Sequence, residues 1–65
     1  MTAKRYYIVR VTDDGLLYYA GHDKWNTTKQ YALLYRTEIE ASEINAKLKR
    51  RKYKTEINEI EKQII

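Results

Sequence analysis

The 65-residue sequence predicts an α+β domain: an antiparallel sheet of three to four strands with one helix packed on one face, in the order β-β-β-α-β. Three observations predict it. Two short runs of β-branched and aromatic residues flank an Asp-Asp-Gly turn. One stretch only has helical spacing behind a capping signal. The chain is long enough for a single domain, 1–65, and for no more.

Residues 5–11 (RYYIVRV) read as the first strand, Asp13-Asp14-Gly15 as a turn, and residues 16–20 (LLYYA) as the returning strand. Residues 21–30 form a polar loop around Trp25. The short apolar run 31–36 (YALLYR) reads as a third strand, with a helical turn at Tyr31 to Leu34 as the alternative. Thr37 opens a helix: Thr37 and Glu40 have capping-box spacing, and Ala41, Ile44 and Leu48 share one face, with Ile39 at its edge. The helix should end about Arg50 or Arg51. In the tail, Tyr53, Thr55 and Ile57 alternate as a strand would, whereas Ile57, Ile60 and Ile64 have helical spacing. A strand over 53–60 is favoured because a hairpin and one helix need more sheet to bury a core. A second helix is the alternative.

Alternation sorts the first strand into Tyr7, Val9 and Val11 on one face and Tyr6, Ile8 and Arg10 on the other. The first set is wholly apolar and is expected to meet the helix. One helix covers one face of a sheet. The second face is therefore expected to carry tyrosines and leucines, with Arg10 or Arg36 at its rim, and a patch of that kind marks an interface. Interface hot spots favour Trp, Tyr and Arg. The candidate protein-binding residues are Tyr6, Ile8, Arg10, Tyr18, Trp25 and Arg36. Trp25 reads either as a lid over one end of the core or as an exposed anchor. Two such faces could also stack as a homodimer.

Composition limits the chemistry. The chain has no cysteine, one histidine (His22) and two glycines, Gly15 and Gly21. Thiolate and multi-histidine metal centres are excluded, as is a phosphate-cradling glycine loop. His22 beside Asp23 is adjacency, not a positioned acid–base pair, and Ser42 lies within the helix. We expect no enzyme activity and no cofactor. Without an apolar run long enough for a signal peptide or a membrane span, a cytoplasmic setting is expected. Net charge is +4, and Lys47, Lys49, Arg50, Arg51, Lys52 and Lys54 form a basic block. Such a block either complements the helix dipole or contacts phosphate, which makes nucleic-acid binding the alternative function. The ribonucleoprotein motif of aromatic RNA-binding sheets is missing.

The Tyr-rich first strand, acidic-Gly turn, second Tyr-rich strand and Trp-Asn-Thr loop are followed by Ala32, Tyr35, Thr37, Glu40 and Ala41. This order resembles small uncharacterised proteins of phages and prophages of Gram-positive bacteria. The resemblance implies a β-β-β-α-β fold and a bacterial host cell as the setting. It also implies a protein that binds and inhibits a host protein, as anti-defence proteins (anti-CRISPR proteins among them) or small regulators do. It brings no catalytic residue with it. A basic chain of this kind would not act by mimicking the charge of DNA.

Overall fold

The computed structural model describes residues 1–63. Strands β1 (Thr2–Thr12), β2 (Gly15–Gly21) and β3 (Lys24–Asn26) come first, then a 3-10 turn (Lys29–Tyr31), helix α1 (Glu38–Arg50) and strand β4 (Thr55–Gln63). All strand pairs are antiparallel, and the sheet order is β3-β2-β1-β4. The fold is the α+β layout expected from the sequence. The tail is a strand, paired to β1 from Thr2↔Gln63 to Arg10↔Thr55. Ile64, the last residue of the competing helical spacing, lies outside the described residues.

The third strand is not where the sequence placed it. It is Lys24–Asn26, inside the stretch read as a polar loop. Its hairpin with β2 closes on a two-residue turn, His22-Asp23, between the paired Gly21 and Lys24. Both turn residues have positive φ (51 and 61), the primed geometry that matches the strand twist. Asn-Gly is the usual sign of that turn. His and Asp also tolerate left-handed φ, but they advertise it weakly.

Residues 31–36 form no strand. They serve as a filler where two strands part. β2 pairs with β1 only from Val9↔Tyr18 to Thr12↔Gly15. Beyond Tyr18 the gap is taken by residues 33–35. The Leu33 N–H donates to the Tyr19 carbonyl (2.9 Å), and Tyr6 and Tyr35 exchange backbone hydrogen bonds of 2.9 and 2.7 Å. Gly21 (φ 88) sits against this segment, where a Cβ would come within 3.2 Å of Leu33 Cδ2.

α1 begins as the sequence predicted. Thr37 is extended, and its hydroxyl accepts from the Glu40 N–H at 3.2 Å. Ala41 and Leu48 are buried and Ile44 half-buried. Ile39, expected at the edge of the apolar stripe, is 72% exposed. One residue on the buried side is polar: Asn45, whose side-chain oxygen accepts from the buried Thr55 hydroxyl of β4. The helix ends at a left-handed Lys52 (φ 68). Lys52 N–H donates to Lys49 O (2.9 Å) and Tyr53 N–H to Leu48 O (3.4 Å), the pattern of a Schellman cap with lysine in place of the usual glycine.

The helix covers the opposite face of the sheet from the one expected. Ile8, Tyr19 and Leu48 form the core, with Trp25, Tyr35, Ile44, Tyr53 and Ile57 packed around them. The face under α1 is therefore that of Tyr6, Ile8 and Arg10. Arg10 made this set look polar. Its guanidinium, however, lies 4.2 Å over the Tyr53 ring and 5.6 Å from that of Trp25. A long cationic side chain at the end of a helix-covered face costs little when it stacks this way.

Candidate functional site: the helix-free sheet face

The face without the helix carries Arg5, Tyr7, Val9 and Val11 of β1, Leu16 and Tyr18 of β2, and Glu56, Asn58, Ile60 and Lys62 of β4, as the strand registers require. No helix lies on it, yet Tyr7 and Val9 are buried. The Tyr18 ring leans on Tyr7 at 6.0 Å, and the Lys29 ammonium stands 5.3 Å from the Tyr7 ring. The 29–34 segment thus folds over one end of this face. It leaves a trough of about 410 Å³ lined by Tyr7, Lys29, Gln30, Ala32, Leu34, Ile60 and Lys62. At the other end, the directly paired Val11 and Leu16 stay 42% and 48% exposed. The face thus carries an exposed apolar pair at one end and an apolar trough flanked by two lysines at the other.

The structure divides the residues proposed from the sequence as a binding set. Ile8 is fully buried and has no surface to offer. Tyr6, Arg10 and Trp25 lie on the helix side, where Trp25 packs edge-on to Tyr19 (5.1 Å) and Tyr53 (5.6 Å). Trp25 thus sits over one end of the core. Arg36 is exposed at the bend before α1. Only Tyr18 belongs to the helix-free face. The residues the first reading missed are Val11, Leu16, Leu34 and Ile60. Their alternation was legible, but the face they belonged to was not.

The basic block surrounds the C-terminal end of α1. Arg51 is ion-paired with Asp23 of the β2–β3 turn. Lys52 and Lys54 join Arg10, Val11, Thr12, Asp13 and Tyr53 in lining a cleft of about 360 Å³. Lys49 lies in the neighbouring groove beside Val11, Tyr53 and Glu56. Lys47 lines a hollow on the helix side with Tyr19, His22 and Arg51, and Arg50 is exposed at the last helical turn. Under the helix, burial together with Tyr19 and Glu40 nearby pushes the Tyr35 hydroxyl up to about 12.

Among the described residues, no group of three or more His, Cys, Asp and Glu side chains could hold a metal ion. No helix among the described residues is long and apolar enough to cross a membrane. No family model, curated protein or solved structure matches this chain.

Proposed function

We propose that this chain is a non-enzymatic protein-binding module that docks through its helix-free sheet face. The observation that carries the reading is the exposed Val11–Leu16 pair on the same sheet face as the Tyr7–Leu34–Ile60 trough. Exposed apolar area beside a concavity on one sheet face is what a protein surface keeps for a partner. The lysines on the trough, Lys29 and Lys62, favour a segment with an apolar anchor next to acidic residues. That the partner is a bacterial host protein, and that binding inhibits it, rests on the resemblance to small phage and prophage proteins.

The test is capture from bacterial lysate by the tagged chain. Leu16→Ser with Tyr18→Ala should cut capture by tenfold or more, since central apolar and aromatic contacts each carry about 2 kcal/mol. The circular dichroism of the variant should not change. Full capture by that variant would remove the helix-free face from consideration.

A second reading is favoured by one observation: Arg10 joins Lys52 and Lys54 around a single cleft beside Tyr53. That arrangement suits a nucleic-acid phosphate backbone. Binding of this kind weakens steeply with salt, and each lysine removed lowers the slope by about one. A flat salt dependence, or no binding to DNA or RNA at low salt, excludes it.

A further inference from the structure

The sheet has one long open edge. β4 is its outermost strand, it is nine residues long, and among the described residues nothing pairs with its outer side. At the other edge, β3 has only three residues. Long unpaired edges are templates for another strand. We propose that β4 pairs with β4 of a second copy of this chain, in a single antiparallel register, to join two four-stranded sheets into one.

The register follows from hydrogen bonding and charge. Val11 N–H donates to Lys54 O, so the even-numbered residues of β4 turn their backbone groups toward β1. Thr55, Ile57, Glu59, Glu61 and Gln63 turn theirs outward. A two-fold pairing must set outward groups against outward groups, so it is centred on one of the residues 57 to 61. Centred on Asn58, it puts Lys54 against Lys62; on Ile60, Glu59 against Glu61; centred on Glu61, it pairs only residues 59–63 of the strand and no opposite charges. Like charges directly opposite are destabilising. Centred on Ile57, it pairs no opposite charges and runs beyond the strand into Tyr53. Centred on Glu59, it pairs the whole strand and sets Glu56 opposite Lys62 twice and Asn58 opposite Ile60 twice. Its one like-charge pair is Glu59 with its copy at the axis, where each carboxylate has the Lys4 ammonium of its own chain 3.5 Å away. Glu56 and Lys62 are both exposed and have no ion-pair partner among the described residues.

Charges on an edge strand commonly serve to repel other strands. Here their order is complementary to itself under a two-fold axis, which a purely repulsive edge does not need. Pairing in this register also brings the Ile60 side of each helix-free face to its copy, so the two apolar faces become one continuous surface. The inference stands apart from the proposed partner binding, because it uses the edge of the sheet rather than its face.

Charge exchange tests it. Light scattering on the wild-type chain, over concentrations up to about 1 mM, should show a mass that rises above the monomer's 7.9 kDa toward twice that value, by about half even for a Kd near 1 mM. E56K alone and K62E alone should each be monomeric. An equimolar mixture of the two should recover the dimer, as should the double variant E56K/K62E. All should keep the wild-type circular dichroism. A monomeric wild type overturns the proposal. So do single variants that dimerise like the wild type, or a mixture and double variant that both stay monomeric.

Discussion

The two faces of the sheet bury residues by different means. On the helix side, Ile8 is sealed by Leu48 of α1 and Tyr19 of β2, and the layer is closed by Trp25, Tyr35 and Tyr53. On the other side, Tyr7 and Val9 are buried with no helix, by neighbours on their own sheet and by the 29–34 segment. The first face is a two-layer core and the second a single layer with a partial cover. The lesson is that low exposure of a residue does not identify the structural face. What distinguishes the faces is where apolar area remains open, and that is the Val11–Leu16 end of the helix-free side.

The largest expected effect would break this comparison outright. Ile8→Ala should cost about 4 kcal/mol, since it leaves a cavity between two layers that cannot close on it. Val9→Ala should cost clearly less per carbon removed, because a single layer can relax. Equal losses per carbon in urea unfolding would mean that both faces are cores. Next, Thr55→Val leaves the buried Asn45 oxygen without its donor and should cost about 2 kcal/mol. Adding Asn45→Leu should restore much of that, which thermal melts of the single and double variants would reveal. Lys52→Gly should stabilise by about 0.5 kcal/mol, by relieving the left-handed lysine at the end of α1. A loss of stability would show that the lysine side chain itself anchors that end of the helix face.

The smallest effect at neutral pH is that of Tyr35→Phe, and it should grow in base. The Tyr35 hydroxyl is raised from the ordinary 10.0 to about 12, so the folded state holds its proton more tightly than the unfolded state does. The stability tied to that proton is complete below pH 10 and is lost as pH rises toward 12. Wild type should therefore lose stability over that window faster than Tyr35→Phe, as read by denaturant midpoints. Parallel curves would place the hydroxyl in water rather than under the helix.

Much of the architecture was legible because it is local. The Thr37 cap, the Ala41–Ile44–Leu48 stripe and the Asp13-Asp14-Gly15 turn each depend on residues a few positions apart. The third strand was not legible. Its three residues are too few to show alternation, and its turn is written His-Asp. YALLYR looked like a strand because it is apolar. Instead its backbone bonds to Tyr19 and Tyr6 where β1 and β2 part, which depends on neighbours distant in sequence. The candidate site failed first at the choice of face: both alternating sets of β1 are apolar enough to be inner faces, and Arg10 tipped the choice the wrong way; the β1–β2 register, which puts Tyr18 beside Val9, and the misplaced third strand did the rest.

By itself the sequence determined the α+β class, the order of elements, the capped helix and the membership of each alternating set. Those follow from periodicity and short-range hydrogen bonding. Only the tertiary structure decided which set the helix covers, where the third strand pairs and which apolar residues remain open to a partner. Periodicity states which side chains share a face but carries no sign. The sign comes from Tyr53 and Trp25, brought from distant parts of the chain to receive the Arg10 guanidinium and make its face the inner one.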